Sequence, residues 1–241
     1  MHRALLGILT PSSNTVLEPL TSAILRTVEE ASAHFGRFAV TRIALSEGAL
    51  AQFATPEVVK AAELLGHARC QVIGWSGTSS SWLGFESDLR LCASIEATTG
   101  AKACTSVLAM NEILSKTGAR KLGLVSPYLD NVQEAIVRNY QKAGFELVAE
   151  RHLGLEDNYS FSEVTEVQLE QMVRDVALAK PDAILIMCTN LRGAPLVERL
   201  EIELGIPIYD SVSTVVWKSL RLIGIDTKRI SAWGRLFREL A

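Results

Sequence analysis

The sequence predicts an α/β protein made of two pseudo-symmetric, doubly wound parallel-sheet halves with a cleft between them. Three observations carry that expectation. Short apolar runs alternate with longer amphipathic ones, which is the βαβ signature. The chain also repeats itself. Residues 5–19, LLGILTPSSNTVLEP, are echoed by residues 121–135, KLGLVSPYLDNVQEA, with Gly7/Gly123, Pro11/Pro127, Val16/Val132 and Glu18/Glu134 in step. VIGWSGTS at 72–79 is echoed by AILIMCTN at 183–190, and IEATTGAKACTSV at 95–107 by LEIELGIPIYDSV at 200–212. Finally, four apolar runs end in small polar patches. Repeated βα units imply similar half-domains, and a crevice between such halves is a natural small-molecule site.

In chain order, strands are expected at 4–10, 38–45, 70–76 and 101–105, and again at 120–126, 145–153, 182–188 and 206–210. Each is a short apolar run bounded by turn formers, as a strand covered on both faces requires. The spacing predicts a helix over 56–68, with Pro56 in the first turn after Thr55. A second helix over 165–179 stops before Pro181, and a third over 194–204 carries an apolar face of Leu196, Val197, Leu200 and Leu204. Parallel strands need right-handed crossovers, so each half reads as a flavodoxin- or Rossmann-like layer. Helices beginning near 106 and 212 are expected to link or cross between the halves, and the terminal stretch ISAWGRLFREL to pack on the first. This divides the chain into residues 1–107 plus 212–241, and residues 108–211.

Composition narrows the function. Of 241 residues, 48% are hydrophobic and 21% charged, a globular balance. A net charge of −3 without a basic stripe argues against nucleic acid as a partner. No run approaches the roughly 20 apolar residues of a membrane span. The start, MHRALLGILTPSSN, lacks a small-residue cleavage site and is not read as a signal peptide, so a cytoplasmic protein is expected. Cys70, Cys92, Cys104 and Cys188 have no paired spacing and are read as reduced thiols. There is no Cys-x-x-Cys, no His-x-x-x-His, no GxGxxG and no Walker pattern, so neither a metal nor a nucleotide cofactor is expected. The sequence leaves a homo-oligomer open.

The chemistry-bearing patches are PSSN (11–14), GTSSS (77–81), PYLDN (127–131) and CTN (188–190), each at the end of an expected strand, where open α/β sheets collect ligands. Gly77 permits close backbone approach, and Thr78 and Ser79 add hydroxyls that suit an anion or simply cap a helix. Cys188 stands where the first copy has Gly77. Beside a helix start its pKa would be lowered toward the working range, and it could exchange a proton with a carbon acid; the alternative is a buried core thiol. Ser13, Asn14, Asn158, Thr189 and Asn190 could supply hydroxyl, amide or backbone donors to a carboxylate. Tyr128 could add its phenol or be a packing ring. Trp75, Trp82 and Met187 flank the patches and could wall an apolar pocket.

These motifs resemble the aspartate/glutamate/hydantoin racemase superfamily, and within it the arylmalonate decarboxylase and maleate cis-trans isomerase branch. The markers are PSSN, GTSSSW at 77–82, Tyr128, Cys188 and WGRLF at 233–237. The superfamily's racemases face two cysteines across the cleft; the first position here is Gly77, as in arylmalonate decarboxylase, which keeps only the second cysteine to protonate an enediolate. The resemblance therefore implies a cofactor-independent decarboxylase of a small malonate-type dicarboxylate, with Cys188 as proton donor. Asn14 and Asn158 instead resemble the isomerase, which leaves isomerisation or racemisation of small dicarboxylates as the alternative, and a dicarboxylate-binding protein without catalysis as a third reading. After the cysteine the decarboxylase has glycines where this chain has Thr189 and Asn190.

Overall fold

A computed structural model describes residues 3–240. Strands β1 (Ala4–Pro11), β2 (Ala31–Phe38), β3 (Val72–Trp75) and β4 (Lys102–Thr105) form one sheet in the order β2-β1-β3-β4. Strands β5 (Lys121–Ser126), β6 (Glu146–His152), β7 (Ala183–Ile186) and β8 (Ile208–Asp210) form a second in the matching order β6-β5-β7-β8. Every pairing is parallel. The helices are α1 (Leu17–Ile24), α2 (Glu47–Ala51), α3 (Thr55–His67), α4 (Ser80–Leu83), α5 (Glu86–Thr99), α6 (Ser106–Thr117), α7 (Asp130–Lys142), α8 (Glu166–Ala177), α9 (Val197–Leu204), α10 (Ser211–Leu222) and α11 (Arg235–Glu239).

Residue chemistry explains the layers. The inner strands VIGW and AILI are buried at every position, because helices cover both faces. The edge strands ASAHFGRF and ELVAERH are largely half-buried and tolerate charge. The repeated glycines have a packing reason. A Cβ on Gly7 would come within 3.1 Å of Leu65 on α3, and one on Gly123 within 3.2 Å of Val176 on α8. Their absence lets a helix settle close against the central strand of each half. Helix starts are capped by side chains: Thr105 Oγ1 accepts from Leu108 N at α6, Thr165 Oγ1 from Gln168 N at α8, and Asp210 Oδ1 from Val212 N at α10. Helices α5 and α9 both stop at a left-handed glycine, Gly100 and Gly205.

Seven of the eight strands fall within two residues of their expected limits. The exception is the second. The apolar run 38–45 was the obvious candidate, yet β2 is the less apolar stretch before it, in register with β1 from Ala4↔Ala31 to Pro11↔Phe38. An edge strand needs only one apolar face, so it leaves a weak signal. The stronger run crosses instead to the cleft, where Val40 and Ile43 are buried. Helix α10 returns to the first half, packing on β3, β4, α1 and α6. The terminal stretch, expected on the first half, meets both: α11 packs on α10, with Leu240 O and Phe237 O accepting from Trp217 Nε1 and Thr227 Oγ1, while the start of α11 turns to α9 of the second. Gly234 N and Arg235 N donate to Glu198 and Glu201 of α9, and Arg238 pairs with Glu198. Two carboxylates of α9 thus satisfy the free N–H groups opening α11. No helix of the described residues is long and apolar enough to cross a membrane.

Candidate active site

The two sheets present their strand ends to a shared, narrow cavity of about 20 Å³ that opens partly to solvent. Register explains who meets there. Trp75 at the end of β3 pairs with Thr105, and Ile186 at the end of β7 pairs with Asp210. Two residues beyond each strand end, the chain turns out of the sheet and sets Gly77 and Cys188 in equivalent places. Gly77, Thr78, Ser79, Tyr128, Asn158, Cys188 and Thr189 all border the cavity. The opposite wall is apolar: Val40, Ile43 and Phe53 with Trp75 and Trp82.

Tyr128 is the hinge of the polar side. Its hydroxyl lies 2.6 Å from Thr78 Oγ1 and shares the cavity wall with Cys188, whose pKa it lowers. Its ring is stacked edge-on between Trp82 and Phe161, which fixes the phenol's aim. Burial raises the phenol well above its usual range, so it stays a donor. Cys188 is 3% exposed, and Asn190 N approaches its sulfur at 3.4 Å. Burial pushes its pKa up to about 12, against the lowering effect of the Tyr128 hydroxyl and the N–H groups of Asn190 and Leu191. This corrects the expectation of a thiol acidified by a helix start. No helix begins at Cys188; a 3₁₀ turn starts at Ala194 and α9 at Val197. Desolvation therefore dominates, and the group is a thiol rather than a thiolate at neutral pH.

The mirror position is filled in another way. A Cβ on Gly77 would fall 2.0 Å from Cζ2 of Trp75, far inside contact distance. The indole lies where a residue 77 side chain would project, and its Nε1 donates toward Ser79 Oγ at 3.4 Å.

Ser13, Asn14 and Asn190, anticipated as ligands, lie one layer behind the cavity and tie the halves together. Asn14 Nδ2 donates to Thr189 Oγ1, while its Oδ1 accepts from Val16 N and Leu17 N at the start of α1. The amide oxygen is thus committed to the helix. Asn190 accepts from Thr15 N and donates to Asn158 O. Asn158 donates to Ser13 Oγ, which donates to Val40 O. Thr189 Oγ1 donates to Ser76 O. Met187 is fully buried but does not reach the cavity wall. Sequence reading did not find Val40, Ile43 and Phe53, because that stretch looked like a strand; the SEG turn at 46–48, hydroxylated and followed by apolar residues, was the available sign of a helix start. Among the described residues no group of three or more His, Cys, Asp and Glu could hold a metal ion.

Comparison with known proteins follows this geometry. The family model for arylmalonate decarboxylase matches residues 17–237. A maleate isomerase from Geobacillus stearothermophilus is 23% identical over 236 residues, 92% of either chain. An arylmalonate decarboxylase from Bordetella bronchiseptica is 27% identical over 185 residues, 76% of this chain and 77% of that one. A solved structure of Nocardia farcinica maleate cis-trans isomerase superposes with a TM-score of 0.89 at 24% identity over 98% of both chains. An arylmalonate decarboxylase structure superposes at 0.80 with 23% identity, covering 98% of this chain and 99% of that one. The structural likenesses speak for the fold alone.

Proposed function

This chain belongs to the arylmalonate decarboxylase family, and from that premise we propose that it is a cofactor-independent decarboxylase of a malonate-type dicarboxylate, with Cys188 as its proton donor. The observation that carries the reading is the lone thiol in the cavity: the mirror position is a glycine whose side-chain space is taken by the Trp75 ring. A two-thiol proton exchange across the cleft has no room there. A sulfur that holds its proton to about pH 12 suits an acid better than a base or a nucleophile.

In this scheme one substrate carboxylate is gripped by the hydroxyls of Thr78 and Ser79 and by backbone N–H groups of the 77–79 turn and of Thr189 in the 188–190 turn. Ser13, Asn14 and Asn190 hold those turns in place, and Asn158 borders the pocket. The second carboxylate lies against Val40, Ile43 and Phe53, where a charge is poorly solvated. The bond from the α-carbon to that carboxylate breaks and CO₂ leaves. The electron pair passes into the retained carboxylate as an enediolate, which the hydroxyl donors stabilise. Cys188 gives its proton to the α-carbon. The resulting thiolate is held by the Tyr128 hydroxyl and the Asn190 N–H until water returns a proton.

The second reading, isomerisation of a small dicarboxylate, is favoured by relatives named maleate isomerase that align over 92% of this chain. One screen separates the two. Substituted malonates and maleate are offered in D₂O, with CO₂ release and deuterium uptake monitored. Decarboxylation releases one CO₂ and places one deuterium on the α-carbon, and Cys188→Ala abolishes it while leaving the fold unchanged. Conversion of maleate to fumarate without CO₂ selects the isomerase. Full activity of the Cys188→Ala enzyme would sink the mechanism.

A further inference from the structure

A cavity of about 20 Å³ holds about one water. A dicarboxylate therefore enters only if a wall yields, and most of the wall is committed. On the seam between the lobes, Thr189 Oγ1 donates to Ser76 O and accepts from Asn14 Nδ2. The Tyr128 hydroxyl is engaged with Thr78 Oγ1. Its ring belongs to an edge-to-face chain running Phe53, Trp82, Tyr128, Phe161, with successive centroids 5.8, 5.1 and 5.6 Å apart. Trp82 is fixed from behind, its carbonyl accepting from Asn139 Nδ2 of α7 at 3.0 Å. Trp75 is 2% exposed and packs on Phe38 with centroids 5.1 Å apart. Val40 N donates to Ser12 Oγ, and Ile43 N crosses to Glu156 O of the other lobe. Phe53 differs from all of these. It is only partly buried, it lies in the short stretch between α2 and α3, and its N–H goes no farther than Leu50 O. It is also the open end of the aromatic chain. Beside it lies a second cleft of about 60 Å³, with Thr55, Ser87, Asp88 and Arg90 among its walls. Phe53 and Ser79 border both spaces, so the Phe53 ring is part of the partition between them.

We propose that Phe53 is the specificity-determining residue of this cavity: its ring turns into the adjoining cleft to admit a dicarboxylate core and, by filling that cleft, limits the α-substituent to hydrogen or methyl. The inference rests on the malonate reading of the site and narrows it to small acids. The other walls leave a larger substituent no space. The place of a residue 77 side chain is taken by Trp75. The seam amides and hydroxyls are bonded to one another, and Cys188 has to face the α-carbon. An aryl group would have to lie where the Phe53 ring lies, or push that ring into solvent and break its edge-to-face contact with Trp82. The family model carries the name of an arylmalonate enzyme; the geometry of this chain fits the core of such a diacid without its ring. Cutting Phe53 back to a methyl group joins the two spaces and lifts the limit.

Binding is the readout, because losing the ring also lets water onto the second carboxylate and would slow decarboxylation for that reason alone. Isothermal titration calorimetry of the full chain is run with malonate, methylmalonate and phenylmalonate, every protein carrying Cys188→Ala so that the acids are not consumed. The quantity compared is the Kd of phenylmalonate over that of methylmalonate, in which a general weakening of binding cancels. With Phe53 in place, malonate and methylmalonate bind alike and phenylmalonate binds about tenfold or more weakly. In Phe53→Ala the ratio falls about 10- to 100-fold. In Phe53→Leu, which keeps an apolar side chain and decides the matter if the alanine variant does not fold, it falls less but in the same direction. Equal affinity for phenylmalonate and methylmalonate with Phe53 in place overturns the proposal. So does a ratio that the substitutions leave unchanged, and so does a protein that binds none of the three acids. CO₂ release by the enzyme with its thiol intact separates this inference from the reaction it rests on. Binding in the stated size order without CO₂ sinks the decarboxylase reading and leaves the role of Phe53 standing. Equal kcat/KM for phenylmalonate and methylmalonate sinks the size limit and leaves the decarboxylase standing.

Discussion

At Gly77 and Trp75 the outcome is decided by volume. With Cζ2 of the indole 2.0 Å from where a Cβ would stand, any side chain at 77 must displace a ring that is 2% exposed. Overpacking of this kind costs about 1–3 kcal/mol, or a fall in Tm on the order of 2–4 °C per kcal/mol for a chain of this size. Gly77→Ala is therefore expected to melt earlier, and the double variant Gly77→Ala/Trp75→Leu to regain part of the loss; an unchanged Tm in the single variant would show that the ring has room to move. Tyr128 supports a second expectation. Removing its hydroxyl takes a donor from the thiolate formed after proton transfer, and hydrogen bonds to charged groups contribute about 1.5–3 kcal/mol. Tyr128→Phe should lower kcat by about 10- to 100-fold with little change in KM, measured on the substrate from the malonate screen. Cys188 could be singled out from sequence because the repeat supplied a control copy without it. The filling of its mirror site by Trp75 could not, since periodicity says nothing of which way an indole turns. The thiol's acidity was misjudged for a related reason: a strand end suggests a helix start, but the sequence does not fix how many residues intervene.

Among the elements, the inner strands were legible because burial on both faces leaves a continuous apolar run. The edge strand β2 was not, since His34 and Arg37 interrupt it while a more apolar segment follows. The matching edge strand of the second sheet, β6, was found and carries a pH-dependent tie. His152 at its end bonds to Glu150 through Nδ1 and to Asp130 of α7 through Nε2. Despite the lowering effect of partial burial, the two carboxylates raise the imidazole's pKa above its usual 6.5. A pKa that is higher folded than unfolded adds stability that is complete below 6.5 and disappears as pH rises through the folded value. The site is partly solvated, so screening limits the gain to about 0.5 kcal/mol. Thermal melts of His152→Gln should therefore lose the native protein's small extra stability at about pH 6 and match it at about pH 8.5. The difference should shrink at high salt, and a native–variant gap independent of pH would rule the tie out.

For the molecule as a whole, the question is what holds two separately built sheets in one register around a cavity. The bridges are of two kinds. Outside, Arg42 pairs with Glu156, both partly exposed, beside backbone bonds from Ile43 N to Glu156 O and Asn158 N to Thr41 O. Inside, Asn14 reaches Thr189, Asn158 reaches Ser13, and Asn190 holds both Thr15 N and Asn158 O. The sequence marked these three asparagines as carboxylate ligands; the fold uses Asn14 and Asn190 behind the wall, and periodicity cannot separate the two roles because both need an amide at a strand end. The energies of the two kinds of bridge differ. An exposed ion pair contributes on the order of 0–1 kcal/mol. Removing the Asn190 amide, which is 0% exposed, strands a donor and an acceptor at about 1–3 kcal/mol each. Arg42→Ala should therefore leave Tm and turnover nearly unchanged. Asn190→Ala should lower Tm by several degrees and, because the thiol stands two residues away on the same turn, reduce kcat more than the loss of stability explains. Differential scanning calorimetry beside steady-state kinetics decides the matter: if Arg42→Ala is the more damaging variant, the halves are held from outside and the asparagine seam is incidental.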